Sequence, residues 1–221
     1  MENGSYICAV NSIDMAKATR KKKDPDASAE EKILSAARAV FTRNGYAATT
    51  VRDIAAEADL NFSLVNYYFR SKEKLYDLVM KDAIRQLLSG IKDVLNDVHT
   101  TPEEKIDLVC VGWIDMLLVH PDLPLFVMNG VANSSNDITK ELVENNVFLT
   151  SYFVKQLMEL HGKGKLKIAP LHLVMNLVSM LTLPFVARHL LLKTGAIDMK
   201  IFKAMMEERK TQIPGWIKLM M

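Results

Sequence analysis

Phe62, Ser63 and Asn66 share one face of a short helical stretch, and their side chains suit the reading of nucleic-acid bases. An asparagine amide can pair bidentately with an adenine edge, and an aromatic ring can pack on a thymine methyl group. That chemistry needs a helix held rigidly against its neighbours. The opposite face of the stretch carries Val65, Tyr68 and Phe69, which are expected to point inward.

The run from Thr49 to Lys74, TTVRDIAAEADLNFSLVNYYFRSKEK, supplies the supports. Thr50 is a good helix N-cap, and Asp53, three residues on, completes a box-like pair. Val51, Ile54, Ala55 and Ala58 then fall at i, i+3, i+4 and i+7, one apolar stripe. Asp59 stands where the turn needs a left-handed backbone, open to Gly and less easily to Asn or Asp. Asn61 caps the next helix. Two short helices joined by a tight turn, the second with a polar outer face, have the layout of a DNA-reading helix-turn-helix.

The stretch from Lys32 to Val79 resembles the N-terminal domain of the tetracycline-repressor (TetR) family of bacterial transcription regulators. The matching pieces are EKILSAARAVFTRNGY, ATTVRDIA, NYYF and RSKEKL, in order and at the family's spacing. Two residues depart from the pattern: Asp59 stands where the family usually has Gly, and Phe62 where polar or basic residues are commoner. The resemblance implies phosphate contacts from Thr50, Tyr67 and Lys72. Thr49, Arg52 and Asn61 complete the expected DNA-facing set with Phe62, Ser63 and Asn66. A cation in the first turn of a helix, as at Lys72, opposes the helix dipole, which a bound phosphate would explain.

Composition agrees. Hydrophobic residues make up 49% of the 221, and seven prolines and nine glycines leave room for long helices. No segment alternates as a strand would, so an all-α fold is expected. Net charge is only +2, yet Met15 to Leu75 holds 12 Lys and Arg against 8 Asp and Glu, a bias suited to a phosphate backbone. Lys17, Arg20, Lys21, Lys22 and Lys23 read as a basic arm within residues 1–27, and Met15 is a possible alternative start. Cys8 and Cys110, far apart and without an apolar leader before them, imply a reducing, cytoplasmic setting.

The helices follow from local signals. The first is expected from Ser28, boxed with Glu31, to Asn44, with Gly45 ending it and Ile33, Ala37, Val40 and Phe41 as its stripe. The next runs from Ser71 towards Val98, burying Leu75, Leu78, Val79, Leu87, Ile91 and Val94. Thr101-Pro102-Glu103-Glu104 starts a helix that carries Ile106, Val109, Trp113, Met116 and Leu117 to His120. A short piece over Leu123–Val131 precedes a long helix over Asn136–His161. An apolar helix over Pro170–Leu192 and an amphipathic one from Met199 to Gln212, before Pro214, close the chain. Residues 28–74 are thus read as the DNA-binding domain and 75–221 as a helical ligand-binding and dimerisation domain.

Ile168 to Leu192 is long enough for a membrane span, but Pro170, His172, Asn176, Pro184 and His189 argue for a helix buried between its own core and a partner subunit. No membrane association is expected. The resemblance implies a homodimer through Leu171–Leu192 and Met199–Lys218, reading a palindrome in double-stranded DNA. It also implies a pocket whose small-molecule effector, of unknown identity and apolar or amphipathic, releases the DNA. Trp113, Met116, Leu117, Phe126, Met128, Phe148, Tyr152, Met175, Asn176 and Met180 are the candidate wall, Met being adaptable in irregular cavities, with Asn129, Asn145 and His172 as further polar candidates. The alternative is an architectural DNA-binding protein on the same fold without an effector. The five histidines lack metal-ligand spacing, no GxSxG elbow occurs, and HGKGKLK lacks the P-loop pattern. An enzyme is therefore not expected, nor a cofactor or metal.

Overall fold

In a computed structural model the backbone is described for residues 25–133 and 147–221, all of it helix and connecting turns. The helices are α1 (Pro25–Ala48), α2 (Val51–Glu57), α3 (Phe62–Tyr68), α4 (Lys72–Leu88), α5 (Ile91–Asn96), α6 (Pro102–Val119), α7 (Leu123–Asn133), α8 (Val147–Thr150), α9 (Tyr152–Gly162), α10 (Pro170–Val186), α11 (Arg188–Lys193) and α12 (Met199–Lys218). The all-α expectation is met. The basic arm and Asn145 lie outside the described residues.

Helices α1, α2 and α3 pack together as a head, and α4 leans on α1 from one side and on α7 of the body from the other. Tyr76 on α4 marks that seam. Its ring lies 4.9 Å from Phe41 of α1 and 6.1 Å from Phe126 of α7, both edge-on, a preferred aromatic geometry. At Gly130 α7 comes so close to α4 that a β-carbon would collide with the Met80 side chain. One apolar cluster runs without interruption from Ile33 in the head to Ile217 in α12. In the body, α12 lies along α6 and also touches α10, with Lys210–Asp115 and Lys218–Asp107 ion pairs along the α6 seam.

Several expected boundaries move. Ser28 is inside α1 rather than capping it, because the helix starts at Pro25, whose fixed φ and missing N–H suit a first turn. Gly45, at φ +74°, breaks the regular helix as expected, and a further turn to Ala48 follows. The helix expected over 71–98 is broken at Gly90, which takes φ +79°, a left-handed conformation that glycine adopts without strain. Leu78, assigned to the buried side, is exposed. Of the helix expected over 136–161, residues 134–146 lie outside the described set, and Ser151, in an extended conformation, interrupts the rest. The apolar 170–192 segment turns at Ala187. The last helix does not stop before Pro214 but continues to Lys218, with Pro214 itself buried.

Candidate nucleic-acid interface

Local capping fixes the two short helices of the head. The Thr50 hydroxyl accepts from the Asp53 N–H at 3.2 Å, and the Thr50 N–H donates to the Asp53 carboxylate at 2.8 Å. This reciprocal box satisfies donors that the first helical turn leaves open. Hydrogen bonds from Thr50 hold the Asp53 carboxyl below its ordinary value.

At the other end of α2, Asp59 adopts φ +54°. The Leu60 N–H then reaches back to the Ala55 carbonyl at 3.0 Å, and the Asp59 N–H to that of Ala56 at 3.2 Å. This is the Schellman termination, here with Asp where Gly is usual. Asn61 accepts from the Leu64 N–H at 2.7 Å and starts α3. Ile54, Ala55, Val65 and Phe69 are buried beneath the turn. Arg43 of α1 donates to Glu57 of α2 at 2.8 Å, an ion pair 14 residues apart that no local pattern announces.

The outer face of α3 carries the expected readers. Phe62, Ser63 and Tyr67 are exposed and Asn66 is half-buried. The guanidinium of Arg52 on α2 lies 5.7 Å from the centre of the Phe62 ring, within cation–π range. The two residues thus form one amphipathic unit across the turn, a pairing the separate readings of Arg52 and Phe62 missed. Thr50 and Asn61 are exposed, although their side-chain oxygens are engaged in capping.

Two members of the expected set face inward. Thr49 is buried, its hydroxyl donating to the Gly45 carbonyl at 2.7 Å. The Lys72 ammonium donates to the carbonyls of Tyr46 at 2.9 Å and Thr49 at 3.0 Å, and lies 4.2 Å from the centre of the Tyr46 ring. These carbonyls lie at and just past the C-terminal end of α1, and the lysine supplies their hydrogen-bond donor. That internal task accounts for a cation at the start of α4 without a phosphate.

The candidate effector wall is dispersed. Trp113, Leu117 and Phe126 are buried and Met116, Tyr152, Asn176 and Met180 half-buried, whereas Met128, Met175, Asn129 and His172 lie on the exposed surface. Met128 and Met175 therefore do not wall an interior pocket. The side chain of Phe148 is outside the described residues. A cleft of about 810 Å³ opens instead between α1 and the α6–α7 turn. Phe126 is, among the described residues, the single member of the candidate wall that lines it. Among the described residues there is no cluster of three or more His, Cys, Asp or Glu able to hold a metal ion. No single described helix is long and apolar enough to cross a membrane.

Residues 33–79, the span of this head, match the profile of bacterial regulatory proteins of the tetR family. The head is therefore a DNA-binding domain of the tetR family. The chain is similar to the probable HTH-type transcriptional regulator YttP of Bacillus subtilis, 26% identical over 165 residues, 72% of this chain and 77% of that protein. It is also similar to the HTH-type transcriptional repressor KstR2 of Mycolicibacterium smegmatis, 35% identical over 80 residues, 36% of this chain and 38% of that one. Among solved structures, the TetR family regulator PfmR of Thermus thermophilus aligns with a TM-score of 0.57 at 19% identity, over 69% of this chain and 84% of that. The fold, and not the head alone, is therefore shared. The chain is a DNA-binding transcriptional regulator.

Proposed function

We propose that the chain is a homodimeric repressor, without catalytic activity of its own, that binds a palindromic operator through paired α3 helices and releases it on binding a small effector. The observation that carries the dimer is the apolar stripe on α10. Leu171, Met175 and Leu183 are exposed there at spacings of four and eight residues, on the face opposite the buried Leu173, Leu177 and Leu181. Helix α12 adds exposed Ile201, Met205 and Trp216, and exposed Leu219 follows its end. Apolar faces of this kind on adjacent helices fit a partner subunit. A two-fold dimer would set the reading helices about 34–36 Å apart, one turn of B-DNA.

Phe62, Ser63 and Asn66 are the proposed base readers, supported by Arg52. Thr50 and Tyr67 are the proposed phosphate contacts. The head and the body share one core through Tyr76, which gives an effector in the body a mechanical route to α3. Selecting bound fragments from a random DNA library at near-physiological salt tests the reading. The expected result is a palindrome bound at nanomolar affinity, whose preferred bases change in Phe62→Ala and Ser63→Ala. Weak binding that disappears with added salt, without a consensus, would overturn it.

A further inference from the structure

A second, smaller pocket of about 250 Å³ lies behind the α6–α7 turn, where the ends of α6 and α10 meet α11 and α12. Its floor is apolar. Phe185 and Phe202 are buried there with their rings edge-on at 5.5 Å, and Leu118 lies beside them. Met199 and Lys203, both exposed, stand at its mouth.

Among the described residues two charged groups line the pocket, Lys203 at the mouth and Arg188 against the apolar floor. The Arg188 side chain is only 10% exposed, and its Nη2 donates to the Asp122 carboxylate at 2.5 Å. The same nitrogen lies 3.4 Å from His189 Nε2. Its Nε is buried with no hydrogen-bond partner. A guanidinium presents five donors in a rigid fork matched to a carboxylate held by two bonds. Asp122, half-exposed and held through one oxygen, leaves that capacity unused. Apolar walls, a buried and under-satisfied guanidinium and a lysine at the mouth together complement an apolar body that ends in one carboxylate.

We propose that this pocket binds a small amphipathic monocarboxylate, whose carboxylate takes the Arg188 guanidinium in place of Asp122. The volume is just below the usual range of ligand cavities, about 300 to 1,000 Å³, so the occupant is a medium-chain or single-ring acid. The inference rests on the effector-responsive reading above and gives that effector a site and a class. Asp122 and Pro121 also line the wider cleft facing Arg38, Thr42 and Arg43 of α1. Asp122 is also held by His189 Nε2 at 3.0 Å, so losing Arg188 removes one of these two anchors of the turn that faces the head.

Isothermal titration of the full chain with sodium octanoate, and with 1-octanol as the uncharged control, tests the site. Octanoate is expected to bind one per chain and octanol far more weakly. Losing a charge-assisted pair in Arg188→Gln is expected to weaken octanoate by roughly tenfold or more. Asp122→Asn removes the internal competitor and is expected to tighten binding, a gain that damaged folding cannot produce. Absence of octanoate binding to both the native chain and Asp122→Asn, or equal affinity in all three proteins, would overturn the site. Release is read separately, by fluorescence anisotropy on the selected operator. Binding with the expected variant pattern but no release overturns the coupling to DNA. Lack of any selected operator overturns the repressor reading and leaves the carboxylate site standing.

Discussion

Asp59 carries backbone strain at a left-handed helix-end position that glycine usually fills. Its φ of +54° brings the β-carbon towards the following carbonyl, a cost of roughly 1–2 kcal/mol for most residues and less for Asp. Glycine would remove that strain but add freedom to the unfolded chain, which offsets part of the gain. Asp59→Gly is expected to stabilise the protein by about 0.5–1 kcal/mol, read as a higher urea midpoint at unchanged slope. A lower midpoint would mean that the Asp59 side chain contributes something the backbone does not reveal. Asp53 gives a second test, through pH. Its pKa lies below the ordinary 3.8, first because the Thr50 hydroxyl donates to it and then because the Thr50 N–H does. A depressed carboxyl contributes stability that is fully present above the unfolded value and is lost as pH falls through the folded one. The head is thus expected to loosen below about pH 4, and Asp53→Asn to flatten that acid limb when unfolding is followed by circular dichroism.

Helices whose ends are encoded locally are the ones that were legible. Thr101, Pro102 and Glu104 announce α6, and the structure has the same capping box there; Thr50, Asp59 and Asn61 do so for α2 and α3. Breaks imposed from a distance were not legible, because the apolar period passes straight across them. Ser151 interrupts its helix where the Tyr152 N–H donates to Asn96, 56 residues away. The turn at Ala187 lets Arg188 point inward to Asp122 in the α6–α7 turn. The site divides in the same way. The proposed readers on α3 follow from local periodicity, whereas Thr49 and Lys72 are drawn inward by carbonyls at and just past the C-terminal end of α1. Buried Lys105 on α6 is a further internal lysine that local pattern does not reveal. Its ammonium donates to the Asp97 carbonyl at 2.6 Å, the Thr100 carbonyl at 2.7 Å and the Thr100 hydroxyl at 2.6 Å, so all three protons are used. Burial lowers its pKa, with Asp97 and Glu104 opposing the shift. This lysine ties the loop after α5 to α6, and Gln156 of α9 donates to the same Thr100 carbonyl. Lys105→Met keeps the stem but strands these acceptors, and a cost of about 2–4 kcal/mol is expected in denaturant unfolding. A loss below about 0.5 kcal/mol, the size of an ordinary surface change, would show that the loop does not depend on the lysine.

At the scale of the whole molecule, two heads must be held at a fixed separation if a palindrome is to be read, and the head itself offers no means of doing so. Its core is continuous with the body through Phe41, Tyr76 and Phe126, so whatever fixes two bodies also fixes two heads. The α10 stripe is the surface proposed to do this. Met175 is at its centre, 56% exposed in the single chain, so a charge placed there is solvated in a monomer and desolvated only in a dimer. Met175→Glu is therefore expected to leave helical content unchanged while shifting sedimentation from dimer to monomer. Each head would still meet its half-site, but the second contact would cease to be intramolecular. Losing that effective concentration is expected to reduce affinity for the full palindrome by about 10²–10⁴-fold while leaving half-site affinity unaltered. Half-site and palindrome affinities falling together would place the damage in the reading surface instead. A variant that remains dimeric and binds the palindrome as the native chain does would move the dimer interface away from α10.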